Sequence, residues 1–146
     1  MQREQLKSKI HRAMITAADP DYEGSIEIPA DLMRAADLWE REKVLVASIT
    51  SGERLETYVQ TGPEGSGRII MNGGAAHRIG KGERVTIMAF GYSDQPLDPC
   101  IILCDEHNRI VREGCLAMDV DFVELGLGQW LGDAMMAYLT KRSKCG

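Results

Sequence analysis

A mainly β, barrel-like fold is predicted by three features of this sequence of 146 residues: short apolar runs of strand length, turn-forming clusters roughly every ten residues, and a single clear helical periodicity before residue 111. Taking the elements in order, Leu6–Ile15 alternates at first. That pattern reads as a strand with Lys7, Lys9 and His11 on one face and Leu6, Ser8 and Ile10 on the other. The stretch DPDYEGSIEIP, Asp19 to Pro29, places a Gly-Ser pair between an acidic turn and a second alternating strand. Asp, Pro, Gly and Ser are all turn formers, so a turn is the first reading of Gly24-Ser25.

PADLMRAADLWERE then changes period. Leu32, Ala35, Ala36 and Trp39 fall at i, i+3, i+4 and i+7, an amphipathic helix with Asp31 near its start. KVLVASI, a TSGE turn and RLETYVQ form a hairpin over Val44–Gln60, in which Arg54, Glu56 and Tyr58 share one face. TGPEGSG is a loop before the strand RIIM, NGGAA is a tight backbone passage, RVTIMAFGY is a strand, and PCIILCDEHNRIV is a strand followed by a turn. Beyond Gly114 the pattern becomes helical, with Trp130, Leu131, Ala134, Met135, Tyr138 and Leu139 on one stripe. A barrel domain over 1–114 and a helical C-terminal extension over 115–146 follow, with no internal repeat.

Composition narrows the function. A net charge of -5 argues against nucleic acid as the main partner, because phosphate binding needs a basic face. The N-terminal residues carry charges throughout and lack the apolar core of a secretory signal, and no apolar run approaches bilayer length. A cytoplasmic protein without a membrane partner is expected, and its four cysteines are expected as thiols. GPEGSG lacks the dinucleotide order of glycines, and the GKG at Gly80–Gly82 has no following Ser or Thr for a phosphate loop, so both read as turns. Cys100, Cys104, His107 and Cys115 match no common zinc spacing. No metal is expected, although a zinc-binding structural module stands as an alternative. Glu27 occupies the place of the last glycine of a hydrolase elbow, so Ser25 does not sit in G-x-S-x-G.

Taken together, four separated blocks are more informative than any of these residues alone. KIHRAMITAADPDYEGSIEIP, TSGERLETYV, RIIMNGGAAHRIGKGERVTIMAF and PCIILCDEHNRIV, in that order, resemble the aspartate 1-decarboxylase family of pyruvoyl-dependent lyases from about Met1 to Val111. The resemblance implies a double-psi β-barrel, a homotetramer with active sites between subunits, and L-aspartate converted to β-alanine and carbon dioxide for pantothenate synthesis. It also implies that the chain is a zymogen that cleaves itself at Gly24-Ser25, leaving Ser25 as a covalent pyruvoyl group on which the substrate amine forms a Schiff base. Decarboxylation leaves an electron pair on the α-carbon, and a ketone conjugated to an amide can accept it.

The same resemblance assigns Thr57 to processing, as a donor to the Gly24 oxygen, and Tyr58 to protonation of the carbanion. Arg54 and Lys9 are implied as cations for the substrate carboxylates. Asn72, Gly73, Gly74 and Ala75 line a loop against cofactor and substrate, and His11 and Tyr22 match further pocket positions. Two departures stand out: Ala47 replaces a frequent tryptophan, and Gly74 replaces a frequent alanine. Spontaneous cleavage and cleavage assisted by a maturation factor are both compatible with these residues. So is an unprocessed barrel homologue that keeps Ser25 intact as a binding or regulatory subunit.

Overall fold

Nine strands and one short helix carry the chain in a computed structural model that describes residues 1–115. The expected C-terminal helix, with its Trp130–Leu139 stripe, lies outside the described residues. The strands are β1 (Arg3–Met14), β2 (Ala17–Asp19), β3 (Ser25–Pro29), β4 (Lys43–Ser48), β5 (Arg54–Gly62), β6 (Ile70–Asn72), β7 (Arg84–Ser93), β8 (Cys100–Cys104) and β9 (Ile110–Cys115), with helix α1 at Ala30–Ala35. They form one sheet in the order β2-β6-β3-β5-β4-β7-β1-β8-β9. Three neighbours in it are parallel, β1 with β8, β2 with β6 and β3 with β5. The mainly β prediction holds.

One core serves the whole sheet. Ile10, Ile26, Val46, Met71, Ile87 and Ile102, from six different strands, are fully buried in a single apolar cluster. Helix α1 packs on β3 and β5 and also on β8 and β9, which stand at the other end of the strand order. A flat sheet could not bring β5 and β8, four places apart in that order, to one helix of six residues, so the sheet curves around it.

β1 shows how the sequence is fitted to that curvature. Ser8 and Ile10 point inward while Lys7, Lys9 and His11 are only partly covered, as the alternation predicts. Strict alternation would then turn Ala13 outward. Instead the pairing with β7 shifts between Ile10 and Ala13, with Arg12 at φ 60°, and this bulge returns Ala13 and Ile15 to the core. The hairpin expected over Val44–Gln60 is present as antiparallel β4 and β5, with Arg54, Glu56 and Tyr58 exposed on one face. β2 was not foreseen; three residues long, it pairs with β6 and leads into the turn before Gly24.

The expected helix is shorter than its periodicity, and Trp39 is not on its buried stripe: it is 76% exposed. The helix stops after Ala35 because Asp37 takes a left-handed φ of 55°. The Asp37 amide then donates to the Arg34 carbonyl at 3.2 Å and the Leu38 amide to the Met33 carbonyl at 2.8 Å, while Leu38 and Met33 are both buried. This is a Schellman closure with aspartate in the place usually held by glycine. The Lys7 ammonium donates to the Asp37 carbonyl and lies 3.2 Å from a Glu42 carboxylate oxygen, tying the helix end to β1.

Candidate active site

The antiparallel pairing of β3 with β6 sets Ser25 directly opposite Asn72. Ser25 is 1% exposed and Asn72 is also buried, so the polar atoms of both need partners. The Asn72 Nδ2 donates to Ser25 Oγ at 3.2 Å. The Ser25 hydroxyl has two acceptors in reach, Gln60 Oε1 at 2.9 Å and the Glu23 carbonyl at 3.3 Å. Gln60 comes from β5, whose parallel register aligns it with Glu27 and places Tyr58, 41% exposed, beside the start of β3. A turn serine facing water would lack the contacts to Asn72 and Gln60.

Gly24 precedes this hydroxyl with open space where a Cβ would stand. Its other side is closely covered. Gly73 has φ +69°, and a Cβ built on it would lie 2.6 Å from the Gly24 Cα and 2.8 Å from the Gly24 nitrogen. The Tyr22 carbonyl oxygen would be 3.2 Å from the same point. Only glycine allows the 3-10 turn at Gly73–His77 to press its backbone onto the Gly24 nitrogen and Cα, on the N-terminal side of the Gly-Ser peptide. Tyr22, Gly24, Ser25, Gln60, Asn72 and Gly73 therefore form one tight cluster, with Gly74 exposed and Ala75 half-buried along the turn that follows.

The remaining residues singled out in the sequence lie elsewhere on the chain. On the outer face of the sheet, His11 Nδ1 lies 3.5 Å from Thr86 Oγ1, and Thr86, Ala47 and Arg54 continue the same row across β7, β4 and β5. Lys9 is on the adjacent row, opposite Met88. Arg54 is four residues from Tyr58 along β5, roughly 13 Å at strand rise. Thr57 pairs with Val44, and strand alternation turns its side chain to the face opposite Tyr58. Among the described residues no side-chain hydrogen bond joins it to Gly24. One chain thus gathers Ser25 with Asn72 and Gln60, sets Tyr58 two residues before Gln60 on β5, and leaves the cations Lys9 and Arg54 further along the sheet.

Electrostatics on that patch are set by burial. The Lys9 ammonium is pulled below its ordinary value by desolvation. His11 is lowered to about 4, first by burial and then by the positive charges of Lys9 and Arg12. It is therefore a neutral imidazole at pH 7. Because its folded value lies below the unfolded value near 6.5, the unfolded chain takes up the proton first as pH falls. Stability should decline from pH 6.5 down to about 4, by up to about 3 kcal/mol from this residue. Denaturant titrations at pH 7.0 and 4.5 check this: His11→Gln should lose less stability between them than the wild-type chain, and equal losses would refute the assignment.

The Cys104 thiol is pushed up to about 12 by burial, with Asp105 and Asp31 adding to the shift. A thiol held protonated offers a metal no thiolate. Among the described residues no three His, Cys, Asp or Glu side chains gather as a metal site.

Gln60 was missed from sequence. A glutamine on a strand reads as a solvated side chain, and only the parallel register of β3 and β5 reveals what it faces. That register depends on a crossover through α1 and β4, which no local pattern encodes.

Comparison with known proteins adds an independent observation. The sequence pattern of one family, aspartate decarboxylase, matches residues 1–111. A protein of Corynebacterium efficiens named aspartate 1-decarboxylase is 51% identical over 113 residues, covering 75% of this chain and 83% of its own length. A Myxococcus xanthus protein of the same name is 48% identical over 115 residues, covering 76% of this chain and 88% of its own. A third, from Acetivibrio thermocellus, is 46% identical over 111 residues, covering 73% and 88%.

Proposed function

The chain belongs to the aspartate decarboxylase family and is a decarboxylase lyase, and from that premise we propose that it matures by breaking its own Gly24-Ser25 bond and then converts L-aspartate to β-alanine and carbon dioxide. The observation that carries the processing step is the buried Ser25 hydroxyl, held by Asn72 and Gln60 beside a glycine peptide onto which Gly73 is packed.

Cleavage requires Ser25 Oγ to add to the Gly24 carbonyl carbon. The Gly24–Ser25 C–N bond then breaks, and the amine nitrogen takes the hydroxyl proton, leaving an ester. Loss of the Ser25 α-proton with scission of its Cβ–O bond leaves a Gly24 carboxylate and dehydroalanine; water then displaces the nitrogen as ammonia, giving the pyruvoyl group. The local residues fit this chemistry. Glycine at 24 leaves the carbonyl uncrowded by a side chain, and burial keeps bulk water from competing with the hydroxyl. Thr57 is the resemblance's candidate donor to the Gly24 oxygen, a role that would require its hydroxyl to reach across β5.

The pyruvoyl ketone, once formed, supplies the electron sink that decarboxylation needs. The chain's own residues would bind and orient the substrate around it. Arg54 would present its planar fork to one carboxylate and Lys9 a point charge to the other. Tyr58 would hold at its phenol oxygen the proton destined for the α-carbon, beside residue 25. Asn72 and the backbone of Gly73, Gly74 and Ala75 would line the cofactor side, with neutral His11 and Tyr22 at the pocket margin. The separation of Lys9 and Arg54 from Ser25 within one chain supports a site to which a neighbouring subunit brings its cations, in the homotetramer that the family resemblance implies. Supply of β-alanine for pantothenate in the cytoplasm is the corresponding role; among the described residues no helix is long and apolar enough to cross a membrane.

Activity tests this reading directly. Purified protein given L-aspartate should release β-alanine, and prior treatment with phenylhydrazine, which captures ketones, should abolish the release. Turnover indifferent to that reagent would exclude a ketone cofactor.

A further inference from the structure

We infer that Gln60 is a catalytic residue of maturation, the acceptor that sets the direction of the Ser25 hydroxyl before self-cleavage. The inference rests on the self-processing reading above. A serine hydroxyl has one hydrogen and two lone pairs. Asn72 Nδ2 engages one lone pair at 3.2 Å. The hydrogen has two acceptors to choose from, and Gln60 Oε1 at 2.9 Å is nearer than the Glu23 carbonyl at 3.3 Å. With the hydrogen on Gln60, the second lone pair is left without a partner and is available to the Gly24 carbonyl carbon. Without Gln60, the hydrogen turns to Glu23, a carbonyl of the same local backbone that the attack must reach.

An amide oxygen is too weak a base to keep the proton, so Gln60 orients the hydroxyl, and the proton passes on to the departing nitrogen as the C–N bond breaks. The position is held by the sheet, since Gln60 pairs with Glu27 in the parallel register of β3 and β5, two residues beyond Ser25. Its side chain is half-buried, which admits substitutions of similar length without opening the core.

The test is the rate at which freshly made full-length chain is converted into two, followed by intact-mass spectrometry for wild type, Gln60→Met, Gln60→Asn and Gln60→Glu. Met keeps length and loses the strong acceptor, while Asn keeps the amide but withdraws it by one methylene. Both should slow cleavage roughly tenfold to a hundredfold. Glu restores an acceptor, and as a carboxylate it should recover cleavage to within a few-fold of wild type. Its rate should also rise with pH through the carboxylate range, a dependence the wild-type amide does not have at this position. Thermal melts on each variant identify any that fails to fold, and the remaining variants still decide the matter. Wild-type rates in Met and Asn, or a Glu variant as slow as Met, would overturn the role of Gln60 alone. A wild-type chain that never cleaves, even at elevated temperature and with a host extract that would supply a maturation factor, would overturn the processing reading and this role with it.

Discussion

Ser25→Ala is expected to yield a folded, single, uncleaved chain with no release of β-alanine from L-aspartate. The loss should be complete rather than partial, because alanine removes the hydroxyl oxygen that must add to the Gly24 carbonyl carbon and then leave from Cβ, and without that elimination no ketone can form at residue 25. The fold should survive. The serine Cβ is retained, the backbone pairing with Asn72 and the alternation of Ile26 and Ile28 into the core are untouched, and only the hydroxyl contacts disappear. Losing them leaves Asn72 Nδ2 and Gln60 Oε1 with an unfilled site between them, a cost of about 1–3 kcal/mol if water does not enter. Electrophoresis and a melting curve read the first two outcomes, and product analysis reads the third. A Ser25→Ala chain that still turns over aspartate would remove Ser25 from the mechanism.

Gly73→Ala should have the second largest effect, and through packing rather than chemistry. A methyl at 73 would sit 2.6 Å from the Gly24 Cα, inside any tolerable contact, and would have to adopt φ +69°. The left-handed backbone alone costs about 1–2 kcal/mol, and overpacking against a main chain that cannot rotate away adds about 1–3 kcal/mol. A loss of roughly 2–5 kcal/mol is expected by denaturant titration. Whatever part is relieved by movement will shift the Gly24 backbone and so turn its carbonyl relative to the Ser25 hydroxyl, and cleavage should slow in the chains that remain folded. Gly74→Ala is the stability control: no atom lies within 4 Å of its added Cβ and its φ is ordinary, so its stability should change by less than about 0.5 kcal/mol. Equal stability of the two variants would contradict the close approach.

The features legible in the sequence were those written in local periodicity. The β4–β5 hairpin with Arg54, Glu56 and Tyr58 on one face follows from alternation around a TSGE turn. The inward Ser8 and Ile10 of β1 follow in the same way. Where two local rules competed, the reading failed: Trp39 continued the helical spacing, but Asp37 adopted the left-handed conformation that ends a helix, a role that glycine would have advertised. The β1 bulge at Arg12 carries no mark in the local alternation, because it shows only in the pairing of β1 with the distant strand β7. At the candidate site, Gly24, Ser25 and Asn72 stand out in the sequence only through the family resemblance. Gln60 and the contact of Gly73 with Gly24 depend on strand pairings between residues distant in the chain, and only the assembled sheet reveals them.

One measurement bears most directly on the claim that a peptide bond of this chain is converted into its cofactor: intact-mass spectrometry of the active, purified wild-type protein. The expected result is two polypeptides, the smaller ending in the free carboxylate of Gly24 and the larger beginning at residue 25 with a keto group and no α-amine. A fully active preparation consisting of one continuous chain through Gly24-Ser25 would contradict it.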